Sequence, residues 1–400
     1  MASADSFGFL LRQVSRDISQ LISSTKDILA IIGAIYAAKK TFDISYGAYT
    51  LFKNHLRGQI SPLNLEKSFG KWAVITGCTA GIGRAFAEEL ASQGINIILI
   101  SRSRTRLQRE ANKLEQEFGV ETECIPVDFS QGRDIYAALE TKLKGREIGI
   151  LVNNVGVMYD YPMMFTDVQV ERLWQLVNIN IVATTMMTQI ILPGMVERGR
   201  GAIINMASSA SLKPTPQMSV YAATKAYIDY FSRAINYEYK SKGIIVQSLM
   251  PFYVATRMTR FSDALSKPSL LVPSATKYVQ HALCTLSYST RTTGYWPHTL
   301  QWWFLSLIPE NIYMWGAMRV LNALRRQTHN RIRHRSGQKG SQGSTGSMSE
   351  SDSTTIEPSS SIGSISTIGP SASSSSVFYS ATEDSQSNLA SMDKPHVKFD

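Results

Sequence analysis

The chain has 400 residues, of which 44% are hydrophobic and 10% aromatic, enough for one large α/β domain with extensions or for two small domains. This composition excludes a wholly disordered or collagen-like protein. Lysine and arginine number 41 against 31 acidic residues, and the net charge of +10 suits an anionic partner such as a nucleotide cofactor, an acidic lipid or a nucleic acid. The cysteines Cys78, Cys124 and Cys284 lack the spacing of a disulfide scaffold or a zinc site, so no metal site is predicted.

Residues 1–66 are predicted to form an N-terminal segment with an apolar helix. The run ILAIIGAIYAA at 28–38 is closed by Lys39 and Lys40, and it has about half of the roughly 20 residues that a spanning helix needs. With the aromatic residues that follow, it favours a helix lying at a membrane surface, and the alternative is a helix packed on the protein's own core. Acidic residues near the start argue against a secretory signal or a transit peptide.

Residues 67–299 are predicted to form a Rossmann-type domain, an α/β fold with a doubly wound parallel sheet and helices on both faces. In this region short apolar runs alternate with longer stretches of helical period, and several βα units in series imply that fold. The apolar runs are WAVIT, NIILIS, ECIPVD, GILVNN, AIINMA and IIVQSLMP.

Two segments follow this domain. Residues 300–335 are rich in aromatic residues, are interrupted by Pro309 and end in a run of arginines, so they could cover an apolar substrate mouth, touch a bilayer or form a dimer contact. No recognised nucleic-acid module accompanies the arginines, and no nucleic-acid partner is predicted. Residues 336–400 are dominated by Ser, Thr and Gly and are predicted to be disordered, because they cannot bury enough apolar surface to offset chain ordering.

A glycine-rich turn follows the first predicted strand, Trp72–Thr76, and leads into a helix predicted to begin at about Arg84. Glycines allow a tight turn and close backbone approach to a pyrophosphate, whose charge is attracted by the helix N-terminus. The spacing GxxxGxG differs from the GxGxxG fingerprint, and such turns also occur without a ligand. The turn consists of Gly77, Cys78, Thr79, Ala80, Gly81, Ile82 and Gly83.

The ends of the second and third predicted strands bear on the choice of nucleotide. The second strand ends in Ser101 and is followed by Arg102. No carboxylate is present there to accept hydrogen bonds from the hydroxyls of the adenosine ribose. A guanidinium contact with a 2′-phosphate favours NADP over NAD, and the alternative is a solvent-facing arginine. Asp128 follows the third strand, where it can hydrogen bond to the adenine edge or cap the helix that opens near Ser130.

Polar residues also follow the later strands. Asn153 and Asn154 are expected to support neighbouring strands, and Gly156 lets a cofactor lie close. Farther along, Tyr221 and Lys225 are four residues apart in a helical stretch, so the phenol and the ammonium can share one pocket. A phenol near pKa 10 is a poor acid–base catalyst until a cation stabilises its phenolate, although YxxxK alone usually means two unrelated helix residues.

These motifs together, with Ser208 thirteen positions before Tyr221, resemble the classical short-chain dehydrogenase/reductase family over about residues 71–296. The resemblance implies a catalytic tetrad of Asn180, Ser208, Tyr221 and Lys225. In it Tyr221 donates a proton to a carbonyl oxygen that Ser208 also hydrogen bonds. Lys225 would lower the tyrosine pKa and hold the nicotinamide ribose, and Asn180 would anchor a proton-relay water.

The resemblance also implies NADPH/NADP+ as the cofactor, which supplies the hydride while the protein supplies the geometry. The residues expected to bind it are Gly77, Thr79, Ala80, Gly81, Ile82, Gly83, Ser101, Arg102, Asp128, Asn154, Gly156, Tyr221 and Lys225, with Val254 and Thr256 at the carboxamide.

Within that family, the stretches GILVNNVGV, KPTPQ, VQSLMPFYVAT and RTTGYW resemble a hydroxysteroid dehydrogenase-like branch, related to 17β-hydroxysteroid dehydrogenases and very-long-chain 3-ketoacyl-CoA reductases. This implies NADPH-dependent reduction of a ketone on a lipophilic substrate, a steroid or a long-chain 3-ketoacyl-CoA. The alternative is a cofactor-binding scaffold without turnover, since vertebrate members of the branch are described as inactive, with phenylalanine at the position of Tyr221.

Two departures and two further expectations accompany this resemblance. Phe252 follows Pro251 where the family usually has glycine, and its ring could crowd the nicotinamide. Ala207 stands where a second serine is frequent. The resemblance implies a homodimer. The apolar segments that flank the domain predict membrane association, and the resemblance implies the mitochondrion, or the endoplasmic reticulum as in the reductases.

Overall fold

The computed structural model describes residues 2–51, 53, 55, 60, 63–259 and 263–341. Within them the predicted doubly wound fold is confirmed: a parallel sheet of seven strands has the order β3-β2-β1-β4-β5-β6-β7. The strands are β1 Trp72–Thr76, β2 Asn96–Ser101, β3 Thr122–Pro126, β4 Ile148–Asn153, β5 Gly201–Met206, β6 Ile244–Leu249 and β7 Arg291–Thr292.

Helices cover both faces of the sheet, and single 3₁₀ turns connect several of them. The α-helices are α1 Ala2–Leu51, α2 Leu65–Phe69, α3 Gly81–Ser92, α4 Arg104–Phe118, α5 Ile135–Leu143, α6 Val170–Leu176, α7 Ala183–Glu197, α8 Ser219–Tyr239, α9 Asp263–Ser266, α10 Ala275–Cys284, α11 Trp296–Leu307 and α12 Glu310–Ser341. A π-helical turn, Val177–Val182, joins α6 to α7.

The side chains of the strands are buried on both faces because helices pack on each side. In β2, Ile97 and Leu99 belong to one apolar cluster, while the alternate residues Ile98 and Ile100 belong to the cluster on the opposite face. Because both faces are buried, the strands are continuous apolar runs in the sequence and do not alternate between apolar and polar residues.

The strand order reverses between β1 and β4, which leaves a crevice at the carboxyl ends of these two strands. Thr76 ties the two ends together. Its Oγ1 accepts hydrogen bonds from the backbone N–H groups of Asn154 and Val155, both at 3.0 Å, and donates to the carbonyl of Val152 at 3.3 Å. Thr76 is fully buried, whereas Asn154 and Val155 are partly exposed at the cavity, so a buried hydroxyl fixes the backbone at the edge of the crevice.

Asparagine side chains extend this support across the sheet, as predicted. Asn154 Nδ2 donates to the carbonyls of Thr76 and Gly77 at 3.0 and 3.1 Å. Asn153 Nδ2 donates to Asn205 Oδ1 at 2.9 Å, and Asn205 Nδ2 donates in turn to Ser232 Oγ of α8 at 2.9 Å. The helix that carries Tyr221 is therefore hydrogen bonded, through two asparagines, to the centre of the sheet.

The apolar run in the N-terminal segment is helical, and its side chains face outward. Ile28, Ile32 and Ile35 of α1 are between 57% and 64% exposed, so this stretch does not pack on the protein's own core. One described helical stretch, residues 170–197, has the length and composition to cross a membrane. Half of it is buried, however, and it belongs to the layer of helices that covers the sheet.

The C-terminal extension forms two helices separated at Pro309, where the sequence predicted an interruption. The predicted boundary at residues 299/300 falls inside α11. Helix α12 continues to Ser341, six residues into the segment predicted to be disordered, and the remainder of that segment lies outside the described residues.

The contacts of Thr76 predict that Thr76→Val lowers the free energy of unfolding by about 1–3 kcal/mol, because the N–H of Val155 loses its acceptor. The N–H of Asn154 keeps a second acceptor, the carbonyl of Val152 at 3.0 Å. Urea unfolding followed by circular dichroism measures this loss. Thr76→Ser keeps the hydroxyl and serves as the control, and a valine variant as stable as the serine variant would contradict the assignment.

Candidate active site

One cavity of about 480 Å³ lies at the carboxyl ends of β1, β4, β5 and β6. It begins at the glycine-rich turn, passes Ser208, Tyr221 and Lys225, and ends at residues of α11 and α12. Residues expected to bind a cofactor and residues expected to catalyse therefore open into the same space. The predicted residues that line it are Gly77, Ala80, Gly81, Ile82, Asn154, Gly156, Ser208, Tyr221, Lys225, Val254 and Thr256.

The glycine-rich turn is shaped by close backbone packing. Gly77 has a φ of +67°, a conformation that favours glycine. A Cβ atom on Gly83 would lie 2.3 Å from Asn154 Nδ2 and 2.5 Å from the carbonyl oxygen of Gly77, so only glycine fits there. Helix α3 begins at Gly81, three residues before the predicted start, because the chain enters the helix within the turn itself. The first N–H groups of α3 thereby come close to the cavity.

The predicted nucleotide-binding residues at the ends of β2 and β3 lie beyond the cavity lining. Thr79 Oγ1 and Ser101 Oγ are 3.3 Å apart and join the glycine-rich turn to the end of β2. Arg102 is exposed, and in the described part of the chain it has no hydrogen-bond or ion-pair partner. Asp128 Oδ1 accepts hydrogen bonds from the N–H and the hydroxyl of Ser130 at 3.0 and 2.8 Å, which is the capping alternative.

Lys225 is buried in the first turns of α8. Its Nζ donates to the carbonyl of Met206 at 2.7 Å, which leaves further N–H donors of the ammonium for the cavity. Burial lowers the pKa of Lys225 to about 8. The ammonium therefore stays largely charged at neutral pH.

Tyr221 lies beside Lys225, with 5.8 Å between Nζ and the centre of the phenol ring. Burial raises the pKa of Tyr221; the hydrogen bond with the Ser208 side chain opposes this shift, and the nearby Tyr253 phenol adds to it. The net direction is upward, whereas the resemblance implied a pKa lowered by Lys225. At neutral pH Tyr221 is thus protonated, the form that can donate a proton.

Asn180 occupies the π-helical turn and does not line the cavity. Its Oδ1 accepts from the N–H of Val157 at 2.8 Å, and its Nδ2 donates to the carbonyl of Val157 and to Thr224 Oγ1 at 2.9 and 3.0 Å. The side chain therefore holds the loop after β4 against α8. A Cβ on Gly156 would lie 3.4 Å from both Asn180 Oδ1 and Lys225 Nζ, so this glycine permits the close approach of the loop.

The segment after β6 closes the cavity over the glycine-rich turn. A Cβ on Gly81 would lie 3.3 Å from Thr256 Cγ2, and the N–H of Thr256 is held by Thr259 Oγ1 at 3.1 Å. Phe252 lines the cavity, and its ring packs on His298 with 5.7 Å between ring centres. The N–H of Phe252 donates to His298 Nδ1 at 3.3 Å.

Sequence reasoning missed His298, which is completely buried and joins Phe252 to the carbonyl of Leu271 through Nε2 at 3.2 Å. Burial lowers the pKa of His298 to about 4, so the ring is neutral and Nδ1 can accept a hydrogen bond. No local motif marks this histidine, because its partners lie in two other segments of the chain.

Comparison with known proteins agrees with this geometry. The chain matches the family model described as short chain dehydrogenase over residues 71–265. The chain belongs to the short-chain dehydrogenase family.

Three similar proteins illustrate the relationship. Inactive hydroxysteroid dehydrogenase-like protein 1 of Homo sapiens is 47% identical over 328 residues, which are 82% of this chain and 98% of that protein. Very-long-chain 3-oxoacyl-CoA reductase of Anas platyrhynchos is 46% identical over 252 residues, 62% of this chain and 80% of that protein. A solved structure of a short-chain dehydrogenase from Sphingobium yanoikuyae in complex with NADPH is 32% identical, with a TM-score of 0.51, over 56% of this chain and 86% of that one.

Proposed function

We propose that the protein is an NADPH-dependent reductase that converts a ketone on a lipophilic substrate, a steroid or a long-chain 3-ketoacyl-CoA, into an alcohol. The observation that carries this proposal is the cavity that joins the glycine-rich turn to Tyr221, Ser208 and Lys225. A relative named as a 3-oxoacyl-CoA reductase and a structural neighbour in complex with NADPH support the reaction and the cofactor.

The residues present fit NADPH. Gly77 and Gly81 let the backbone and the N-terminus of α3 approach a pyrophosphate, and the exposed Arg102 suits a 2′-phosphate. Lys225 has N–H donors left for ribose hydroxyls, and Val254 and Thr256 lie at the cavity wall where a carboxamide is expected. When bound, the cofactor supplies the hydride.

The chain's own residues supply the proton and orient the carbonyl. Tyr221 donates its phenolic proton to the carbonyl oxygen as negative charge develops there. Ser208 Oγ accepts a hydrogen bond from the N–H of Ala210 at 3.2 Å, and its hydroxyl also hydrogen bonds with the Tyr221 phenol, so both hydroxyls lie where they can bind one carbonyl oxygen. The Lys225 ammonium stabilises the phenolate that remains.

The apolar part of the cavity supports a lipophilic substrate. Beyond the tetrad its lining is dominated by thioether, aromatic and aliphatic side chains, which bind an apolar body by excluding water. These side chains are Met158, Pro162, Met218, Phe252, Leu305 and Leu321.

A second candidate is a cofactor-binding scaffold without turnover. It is favoured by the similarity to a protein named as inactive and by Phe252, whose bulky side chain lines the cavity. This chain carries tyrosine at position 221, so loss of the proton donor is not a reason for inactivity here.

We further propose that the protein docks on an intracellular membrane, in the mitochondrion or alternatively the endoplasmic reticulum, and that it forms a homodimer as the family resemblance implies. The exposed isoleucines of α1, flanked by Lys26, Lys39 and Lys40, support membrane docking, since apolar and basic residues together favour a bilayer with acidic lipids.

Tyr221→Phe removes the proton donor, and we expect turnover to fall about 100-fold or more, the scale of a lost acid–base group. The measurement is NADPH oxidation with a long-chain 3-ketoacyl-CoA, a 17-ketosteroid and retinal. The matched control is Tyr230→Phe, an exposed tyrosine on the same helix. Equal turnover in the Tyr221 variant would refute the mechanism, and NADPH binding by the wild type without any turnover would favour the scaffold.

Arg102→Ala removes a charged donor from the expected 2′-phosphate, and charge-assisted bonds of about 1.5–3 kcal/mol predict a loss of NADPH affinity of roughly 10-fold to 100-fold. NADH affinity should change little. Fluorescence titration of both nucleotides measures the effect, with Arg104→Ala as the control. Equal losses for NADPH and NADH would show that Arg102 does not select the phosphate.

Ile32→Glu/Ile35→Glu places two charges on the exposed apolar face of α1, where they oppose insertion into a bilayer. We expect the full chain to float with phosphatidylcholine vesicles containing acidic lipid, and the double variant to remain with the soluble protein. Gln108→Glu/Asn112→Glu adds the same charge on exposed positions of α4 and controls for net charge. Equal flotation of both double variants would count against docking through α1.

A further inference from the structure

The end of the cavity away from the glycine-rich turn is roofed by the C-terminal helices, which lie beyond the family match at residues 71–265. Leu305 of α11 and Tyr313 and Leu321 of α12 line this end. Leu321 is 8% exposed and belongs to an apolar cluster with Tyr159, Leu176 and Met218, which Tyr221 also contacts. The roof is therefore packed into the domain beside the proposed proton donor.

Three residues of the loop before α8 fasten this roof; we call Lys213, Thr215 and Gln217 the clasp. Lys213 Nζ donates to the carbonyls of Leu305, at 2.9 Å, and Ile308 at the end of α11, where orphan carbonyls need a donor. Thr215 Oγ1 is 3.3 Å from Tyr313 Oη.

Gln217 completes the clasp. Its side-chain Nε2 donates to Asn322 Oδ1 of α12 at 2.6 Å, and its backbone carbonyl accepts a hydrogen bond from the N–H of Met163 at 3.1 Å. Its φ of +60° is the only positive value found at a non-glycine residue in the part of the chain that the structure describes. Such a conformation is unfavourable for a residue with a Cβ and persists where surrounding contacts hold it.

The two sides of α12 differ sharply in environment. Tyr313 and Leu321 face the cavity, whereas their neighbours Ile312 and Val320 are 57% and 61% exposed. A side chain at 321 can therefore enlarge or reduce the cavity, while the same change at 320 meets solvent.

We propose that α12 is a fixed specificity wall, in which Leu321 limits the size of the ketone that fits beside Tyr221 and the clasp holds the wall in place. This inference rests on the proposed function, because it concerns the substrate of the same site. It assigns selection among apolar ketones to a helix that lies beyond the residues matched by the family model.

The test compares Leu321→Phe, which narrows the cavity, and Leu321→Ala, which widens it, with Val320→Phe and Val320→Ala as matched controls. The readout is the ratio of kcat/KM for a 17-ketosteroid to that for cyclohexanone, together with NADPH affinity. We expect Leu321→Phe to lower this ratio at least tenfold and Leu321→Ala to raise it. The Val320 variants should keep the ratio, and NADPH affinity should stay the same throughout. A ratio unchanged in both Leu321 variants would overturn the proposal.

A binding measurement distinguishes failure of this inference from failure of the proposed function. If the wild type turns over neither ketone, displacement of cis-parinaric acid by the steroid measures the same selectivity in the presence of NADP+. Weaker displacement in Leu321→Phe than in Val320→Phe would support the wall in a protein without turnover. Equal displacement in the two variants, or no parinaric acid bound by the wild type, would overturn it.

The clasp is tested through Gln217→Gly, which keeps the positive φ accessible but removes the side-chain bond to Asn322. We expect KM for the steroid to rise about fivefold or more, with NADPH affinity unchanged. An unchanged steroid KM, or an equal rise for cyclohexanone, would show that Gln217 does not position the wall.

Discussion

The site depends on how Thr76 and Asn154 hold the carboxyl ends of β1 and β4 together. At this point the strand order reverses, and the chain leaves both strands. The Thr76 hydroxyl and the Asn154 amide make five hydrogen bonds with backbone N–H and C=O groups there. Asn154 can reach them only because Gly83 has no Cβ, so the glycine motif and the asparagine motif are two halves of one packing arrangement.

Burial acts in opposite directions on the two titratable groups that this frame positions. Desolvation disfavours the charged form of each, which raises the pKa of the Tyr221 phenol and lowers that of the Lys225 ammonium to about 8. The outcome is a neutral phenol beside a lysine that still carries its charge at neutral pH. That combination suits donation of a proton to a carbonyl oxygen, because the charge on Lys225 then stabilises the phenolate that forms.

Local patterns were sufficient to predict β1 and β2 to the residue, because buried parallel strands read as short apolar runs with turn residues at both ends. They were also sufficient to place Tyr221 and Lys225 on one helix face. Contacts between residues distant in the sequence were not predicted. Asn180 binds the backbone of Val157, and His298 accepts a hydrogen bond from the N–H of Phe252, and no sequence pattern relates the segments that carry these pairs. The two roles left open for Asp128 illustrate the limit, since only the structure shows its bonds to Ser130.

The C-terminal roof shows why such long-range contacts matter for chemistry. The clasp residues immediately precede α8, and Tyr221 is four residues beyond Gln217. The bond between Gln217 and Asn322 connects α12 to the turn that begins the catalytic helix, a turn that the N–H of Met163 and the Tyr159 hydroxyl also hold. Leu321 of α12 belongs to the same apolar cluster that Tyr221 packs against, so the specificity wall and the proton donor share neighbouring side chains. One connected group of side chains therefore sets both the size of the substrate and the position of the Tyr221 phenol. A substitution that changes the size of the cavity is expected to shift the phenol as well.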